Sequence, residues 1–310
     1  MSTTQATVPV AFARPGETQS PPARRKKTDR SVWLYALPVV LVFLFVFVGP
    51  LAYTAWVALH ETSFFTIGEF SGLRAFEELF ADPSLPSSIK TTLLFAFGTI
   101  LISLPAGFFA ALVLNSLKRL KRTARSLLLL PWLMSQATAG TIWLWFLNPN
   151  FGPATVITER LGFGPTNYFS TPTGALIAVI LITAWWSYPQ AMLLFLGALQ
   201  TIPQELRESL RVDGGGIWRE FTSITLPFLR NSIVSVIIVL LMNYVQMVTI
   251  ILVTTRGGPV GATETLSMRV FNQTFEKYDL SGAAATAILL FVINVVITMV
   301  AIKFRRKETL

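Results

Sequence analysis

Long runs of apolar residues dominate the chain after residue 30. Six of them reach the length of about 20 residues that a helix needs to cross a bilayer, and none contains Asp, Glu, Lys, Arg or His. The runs are 33–59, 91–114, 127–147, 174–199, 232–254 and 282–302. The pattern therefore predicts an all-α integral membrane protein with about six transmembrane helices.

Composition agrees with a membrane protein. Of the 310 residues, 53% are hydrophobic and only 13% are charged, whereas a soluble domain carries about 25% charged residues. Cysteine is absent, which excludes disulfides, a thiol nucleophile and a cysteine-ligated metal. Residues 1–30 are polar and basic without helical periodicity, so we expect a disordered tail there, followed by a transmembrane domain at 31–310.

Positive charges are distributed unevenly between the two sides of the predicted spans. Most of the 25 Lys and Arg residues fall in the N-terminal tail, the connectors at 115–126 and 200–230, and the C-terminus, which alternate spans place on one side. Cytoplasmic flanks are the ones enriched in Lys and Arg. We therefore expect a plasma (inner) membrane protein with both termini and the 200–230 connector in the cytoplasm. The net charge of +9 then reflects topology and contact with membrane lipid, and no nucleic-acid partner is expected.

The connector between the fourth and fifth spans is unusually polar and reads PQELRESLRVDGGGIWREFTSITLP at 203–227. Thr201 followed by Gln204 predicts a capping box, and apolar residues at helical spacing predict a short amphipathic helix. The glycines at 214–216 would end that helix, because glycine adopts left-handed backbone angles freely. The predicted helix, turn and helix either present a polar face to a partner or lie as a loop on the membrane surface. On the second view, Glu208 simply forms a solvated pair with Arg211.

This connector resembles the EAA motif of the inner-membrane permeases of ATP-binding-cassette importers. The motif is usually written Glu-Ala-Ala, three residues, Gly, and then about nine residues to Ile-x-Leu-Pro. Six residues match it: Glu208, Asp213, Gly214, Ile224, Leu226 and Pro227. Ser209 and Leu210 stand where the motif has two alanines, and Gly215 stands where alanine is common. These departures concern the packing at the end of the helix.

Other segments extend the resemblance over nearly the whole chain after the tail. Arg125, Pro131, Trp143 and Gly152 are similar to the third span of the family. The strings TRGGP, TETLSMRVFNQTF and GAAATA are similar to the segment from its fifth span into its sixth. Together these features resemble the carbohydrate-import subfamily, in particular the first permease of the maltose and glycerol-3-phosphate importer type.

The resemblance implies a type I importer permease, with a coupling helix in the 200–230 loop that docks in a separate cytoplasmic ATPase. It implies a heterodimer with a second permease, an ATPase dimer and an extracytoplasmic solute-binding protein, together importing a sugar, an oligosaccharide or a glycerol-phosphate-like solute. The residues that it assigns to ATPase coupling are Glu208, Asp213, Gly214, Gly215, Leu226 and Pro227. ATP and Mg²⁺ would be used by the ATPase, and this chain would bind no cofactor or metal.

Catalytic motifs are missing from the sequence. It has no Gly-Lys pair and hence no Walker A loop, and its single histidine, His60, has only Glu61 beside it. Neither a serine triad nor a zinc site can be built from these residues, so we expect a transport subunit and not an enzyme. Two alternatives stay open. One is a permease for a non-sugar solute such as a polyamine or phosphate, and the other is an ion-coupled carrier, against which the uncharged spans argue.

Solute contacts within the spans are expected from amides and aromatic rings, because sugars are held by polar hydrogen bonds and aromatic faces. The candidates are Asn243, Tyr244, Gln246, Trp185 and Trp186. Asn243 and Gln246 share one helical face, and their amides are costly to leave unpaired in lipid. Hydrogen bonds between packed helices explain the two amides equally well. Only one of the adjacent tryptophans can face the interior.

A last apolar stripe precedes the sixth span. Met268, Phe271, Phe275 and Tyr278 recur at helical spacing, which predicts a short amphipathic helix at the outer interface. Such a helix either anchors the chain in the membrane or shapes the mouth where a binding protein docks.

Overall fold

The computed structural model describes residues 30–117, 119–162 and 167–306. The predicted disordered tail lies outside the described residues, except for Arg30, with which the first helix begins. Contacts divide the chain into a unit that ends at Pro50 and a larger unit, Leu51–Leu310. The first unit contains helix α1 (Arg30–Phe43) and a single π-helical turn (Leu44–Val48). Helix α2 (Gly49–Ala58) begins at the end of this unit.

Among the described residues of the larger unit, the strands form one hairpin and the other regular elements are helices. Strands β1 (His60–Ser63) and β2 (Thr66–Phe70) pair antiparallel. The helices that follow are α3 (Arg74–Ala81), α4 (Leu85–Ser116), α5 (Lys121–Leu133), α6 (Gln136–Phe146), α7 (Pro153–Arg160), α8 (Pro172–Leu199), α9 (Gln204–Val212), α10 (Ile217–Glu220), α11 (Leu226–Val245), α12 (Thr249–Thr254), α13 (Leu266–Phe275) and α14 (Leu280–Arg306), with a π-helical turn (Phe221–Thr225) joining α10 to α11.

Among the described residues, five helical stretches are long and apolar enough to cross a membrane: Leu37–Ala58, α4, α8, Ile217–Val245 and Leu280–Val300. Helices α5 and α6 make a sixth span only as a pair, bent by 90°. The prediction of about six spans is thus confirmed. The third predicted span, 127–147, is however not one continuous helix, because the chain bends between α5 and α6. The fifth predicted span is also too long, because its helix ends at Val245 and the chain turns before α12 begins at Thr249.

Helices α4 and α8 form the central pair of the larger unit. They pack tightly at Gly107, where an added Cβ would lie 2.5 Å from Ala191 Cβ and 2.7 Å from the carbonyl oxygen of Tyr188. Any side chain at 107 would therefore push the two helix backbones apart. Phe95, Ile182 and Met192 are buried in the core that these helices share with α11.

Helix α13 is built into the bundle and does not lie on its surface. Met268 is completely buried, and Arg269 is buried against Asp82 and Ser84, to both of which its guanidinium donates hydrogen bonds. The backbone N–H of Leu266 donates to Thr92 Oγ1 of α4 at 2.8 Å. The prediction of a short helix is therefore confirmed, and polar partners on α4 and in the preceding loop bury one of its faces; its position at the outer interface stays a prediction. Tyr278 lies beyond the helix end.

Candidate functional site

Helix α9 begins one residue beyond Pro203, at Gln204, and in the described part of the chain no side chain caps its first turn. The predicted capping box is wrong, because Thr201 lies in the turn that follows α8, where its Oγ1 donates to the carbonyl oxygen of Ala198 at 2.8 Å. Ile202 is buried just before the helix. The short helix is thus anchored by the buried apolar residue that precedes it, and most of its polar side chains are exposed.

The three glycines close α9 in a defined geometry. Gly214 has φ +73°, which glycine adopts without the penalty that a Cβ imposes. The N–H of Gly215 donates to the carbonyl oxygen of Leu210 at 2.8 Å, and the N–H of Gly214 to that of Arg211 at 3.1 Å. This pair of bonds is the Schellman arrangement, which satisfies the last carbonyls of a helix. The predicted loop 200–230 therefore contains a rigid turn and not a slack linker.

A carboxylate that the sequence analysis missed ties the two sides of this turn together. Glu220 of α10 lies 3.7 Å from Arg207 Nε and 3.6 Å from Arg211 Nη2, both on α9. Glu208 instead accepts a hydrogen bond from Gln204 Nε2 at 2.7 Å, so the alternative pairing of Glu208 with Arg211 is wrong. The spacing of the two arginines by four residues was the signal in the sequence, since it places both on one helical face.

Large apolar side chains surround the turn and are exposed. Val212 is 87% exposed, Ile217 is 89% exposed and Trp218 is 76% exposed. We call these three residues the apolar collar. The predicted coupling residues Glu208, Asp213 and Gly214 are exposed beside it. Leu226 and Pro227 lie farther along, in the first turn of α11, where the buried Leu229 anchors the helix to the core.

A polar pocket of about 320 Å³ lies among α5, α6, α8, α11 and the start of α12. It is lined by Trp132, Gln136, Trp186, Gln190, Asn243, Tyr244, Gln246, Met247, Val248 and Thr249. Four of the five predicted solute-contact residues thus come together in one cavity. Trp132, Gln136, Gln190 and Thr249 were missed, because nothing in their local sequence shows that they meet.

The break between α5 and α6 forms one wall of this pocket. Met134 and Ser135 are extended, and Ser135 Oγ accepts from the N–H of Thr138 at 3.1 Å as the N-cap of α6. The indole Nε1 of Trp186 donates to the carbonyl oxygen of Met134 at 3.0 Å. A backbone carbonyl freed by the break is thereby satisfied within the protein, as the interior of a membrane requires.

Tyr244 lines the pocket, whereas its hydroxyl group forms hydrogen bonds in the buried core. The hydroxyl donates to Ser103 Oγ of α4 at 2.9 Å and lies 2.7 Å from Ser187 Oγ of α8. Asn243 and Gln246, on either side of it, are exposed at the pocket. Hydrogen bonds between packed helices are thus made by Tyr244, whereas the two amides, for which that alternative was considered, are exposed at the pocket; their contact with a solute stays a prediction.

Trp185 lies apart from the other predicted solute contacts. It lines a second cavity of about 690 Å³ together with Trp143, whose ring is 5.5 Å away, and apolar side chains of α4 and α8. Trp186 and Trp185 thus point to different sides of α8, as their adjacency requires. Only Trp186 belongs to the polar pocket.

Comparison with known proteins gives a consistent picture. The sequence profile of the family described as "Binding-protein-dependent transport system inner membrane component" matches residues 103–307. The chain is 31% identical to the trehalose/maltose transport system permease protein MalF of Thermococcus litoralis, over 88% of this chain and 93% of that protein. It is 30% identical to the sn-glycerol-3-phosphate transport system permease protein UgpA of Pectobacterium atrosepticum, over 90% and 96% of the two chains.

The fold has a counterpart among solved structures. It matches a chain in the crystal structure of a bacterial alginate ABC transporter in complex with an alginate pentasaccharide-bound periplasmic protein, with a TM-score of 0.77 at 21% identity, covering 91% of this chain and 96% of the other. The predicted type I importer permease fold is thereby confirmed. Both curated relatives are transport permeases and not enzymes. The chain belongs to the family of binding-protein-dependent inner-membrane transport components, the permease subunits of ABC importers.

Proposed function

We propose that this chain forms half of the translocation pathway of an ATP-driven importer that takes a carbohydrate from an external solute-binding protein. The family's description names dependence on a binding protein, and the printed names of the relatives are those of trehalose/maltose and glycerol-3-phosphate permeases. The chain would lie in the plasma (inner) membrane with both termini in the cytoplasm, as the distribution of Lys and Arg favours.

The apolar collar is the main support for the proposal that the loop binds to an ATPase. Large exposed apolar side chains on a rigid polar loop are typical of a protein interface. The Schellman turn fixes Val212 and Ile217 on opposite sides of the glycines. A partner must supply energy, because the sequence lacks a Walker A loop. The ATPase, as a dimer, would bind and hydrolyse MgATP.

The polar pocket supports the pathway half of the proposal. Asn243 and Gln246 expose amides at the end of a membrane-spanning helix, the first inside its last turn and the second directly after it, where contact with lipid would cost several kcal/mol. Their face must therefore meet another polar surface, and a second, non-identical permease is the partner that completes the pathway. Amides supply both donors and acceptors for sugar hydroxyls, and Trp132 and Trp186 supply flat apolar surfaces.

Co-purification tests the docking proposal. The tagged chain, purified from its native membrane in gentle detergent, should bring a second permease and an ATPase in stoichiometric amounts, identified by mass spectrometry. Gly214→Pro should lose the ATPase and keep the second permease, because proline cannot adopt φ +73° and has no N–H for Arg211. Gly216→Ala is the matched control, since Gly216 has φ −79° and open space around its Cα. A lone chain in every sample would refute the proposal.

Uptake tests the solute. With the whole importer in proteoliposomes, Asn243→Ala and Gln246→Ala should raise the half-saturating sugar concentration about tenfold each, whereas Asn231→Ala, exposed at the start of the same helix, should not. ATP-dependent uptake of a polyamine or phosphate, with no sugar uptake, would reject the carbohydrate assignment.

A further inference from the structure

The pocket brings together four amide side chains from three separate parts of the chain. Gln136 comes from the first turn of α6, Gln190 from the middle of α8, and Asn243 and Gln246 from the end of α11. Each amide offers two N–H donors and one carbonyl acceptor. This set matches hydroxyl groups, which both donate and accept.

The pocket also lacks formal charge. Of the described residues that line it, none is Asp, Glu, Lys, Arg or His, and the six predicted spans have none of these residues anywhere in the sequence. An ion that enters such a site loses hydration and gains no countercharge. Amide dipoles offset only part of that loss. This half of the pathway therefore disfavours phosphate, carboxylate, sulfonate and ammonium groups.

Overall similarity does not decide this point. The trehalose/maltose permease, named for neutral sugars, and the glycerol-3-phosphate permease, named for an anion, are almost equally similar to this chain, at 31% and 30% identity. The uncharged lining of the pocket favours a neutral solute.

We infer that the solute of this pocket is an uncharged, hydroxyl-rich molecule with an apolar ring face, that is, a neutral sugar or oligosaccharide and not a sugar phosphate, a uronate or a polyamine. The inference rests on the proposed function, because it assumes that the pocket belongs to the pathway. The two indoles, Trp132 and Trp186, would contact the C–H faces of the sugar ring, and the amides would bind its rim.

Matched ligands give the first test. Proteoliposomes that hold the complete importer and its binding protein are offered neutral disaccharides and the corresponding disaccharides in which one hexose is replaced by its uronic acid. Uptake of a neutral member should exceed that of its uronate at least tenfold. Equal or faster uptake of the uronate would overturn the inference while leaving carbohydrate import intact. If the assembled complex transports neither class, the proposed function itself fails.

A pair of substitutions assigns the charge preference to this chain rather than to the binding protein. Gln190→Glu and Gln190→Arg remove the same amide and introduce opposite charges. For a neutral solute, uptake in the two variants should fall to levels within about threefold of each other, because both lose the same hydrogen bonds. An anionic solute would make the Arg variant more than tenfold faster than the Glu variant, which would overturn the inference. Co-purification of the ATPase with each variant checks that it has folded.

Discussion

Leu210 and Gly215 occupy complementary space at the end of α9. A Cβ at position 215 would lie 2.5 Å from Leu210 Cγ and 2.8 Å from the Leu210 carbonyl oxygen, which already accepts the N–H of Gly215. Atoms this close cannot coexist without displacement of the turn. These are two of the positions at which the chain departs from the EAA pattern, with leucine and glycine where alanines are common. The turn can therefore accommodate the large side chain at position 210 because position 215 has none.

The first prediction concerns this pair. Gly215→Ala should displace the turn and reduce ATPase co-purification by about tenfold, which corresponds to about 1.4 kcal/mol of binding free energy. Adding Leu210→Ala should recover part of the loss, because the side-chain overlap disappears while the overlap with the backbone oxygen stays. A double variant that binds the ATPase no better than Gly215→Ala would show that the two positions are not coupled.

The second prediction concerns the left-handed residue of the turn. Gly214→Ala should destabilise the folded conformation of the turn by about 1 kcal/mol, because a Cβ is unfavourable at φ +73°. Limited proteolysis of the purified complex, read as the cleavage rate within 203–227, measures the effect. Gly216→Ala should be cleaved at the wild-type rate, and equal acceleration in both variants would contradict the conformational explanation.

The third prediction concerns Glu220. Glu220→Gln should weaken the contact between α9 and α10. Because the ion pairs are 3.6–3.7 Å apart and partly open to solvent, the free energy of unfolding should fall by about 1 kcal/mol or less. Arg207→Ala should destabilise the fold more than Arg211→Ala, since the side chain of Arg207 is 21% exposed and that of Arg211 is 68% exposed.

The readout for Glu220 is the number of solute molecules transported per ATP hydrolysed. We expect this ratio to fall severalfold in Glu220→Gln, and to be partly restored in Glu220→Arg combined with Arg207→Glu. An unchanged ratio, with hydrolysis and transport reduced together, would indicate that Glu220 serves folding alone.

The fourth prediction is a pH dependence at Asp82, in the loop before α4. Partial burial opposes ionisation, but hydrogen bonds from the N–H and Oγ of Ser84 and from Arg269 prevail and lower the pKa of Asp82 to about 2. A depressed folded-state pKa stabilises the fold above about pH 4, and that contribution is lost as the pH falls from about 4 to 2. Asp82→Asn should therefore lower the melting temperature at pH 7, and the difference from wild type should shrink at pH 3.

The cost of Asp82→Asn at neutral pH should be about 1–3 kcal/mol, because the guanidinium of Arg269 stays buried without its countercharge. Arg74→Ala is the control. Arg74 pairs with Glu61 and Glu78 in an exposed cluster, so its loss should leave the melting temperature unchanged at both pH values. A pH-independent effect of Asp82→Asn would contradict the assignment.

The fifth prediction separates the two adjacent tryptophans. Trp186→Phe keeps an aromatic ring but removes the hydrogen bond to Met134, so it should loosen the break between α5 and α6 and lower sugar uptake about five- to tenfold. Trp185→Phe, in the wall of the second cavity, should leave uptake within twofold of wild type. The reverse order would place the pathway on the other side of α8.

Much of the architecture could be predicted from the sequence because it depends on local pattern. Unbroken apolar runs mark α4 and α8, and glycines after an amphipathic stretch mark the end of α9. The 90° bend between α5 and α6 could not be predicted, since the run at 127–147 stays apolar through the break and Trp186, which stabilises it, lies about fifty residues farther on.

The pocket shows the same limit. Asn243 and Gln246 could be singled out as amides on one face of a span. The place of Gln136 and Gln190 in the pocket becomes apparent only in the folded structure, where three helices bring the four amides together. Trp185 and Trp186 are equivalent by composition, and the helix rotation that distinguishes them is set by packing of α8 against α4. Glu220 was overlooked because its partners lie across a turn.

The backbone contact at Gly107 determines how movement can spread through the chain. At Gly107, α4 contributes no side chain to its contact with Ala191 and the backbone of α8, so the two helices cannot slide past one another without breaking dense packing. Helix α9 follows α8 after four residues, and a displacement that a partner imposes on α9 therefore enters this pair at one end. We therefore expect the two helices to move together, and the end of α4 that contacts α13, where Thr92 accepts the N–H of Leu266, to move with them.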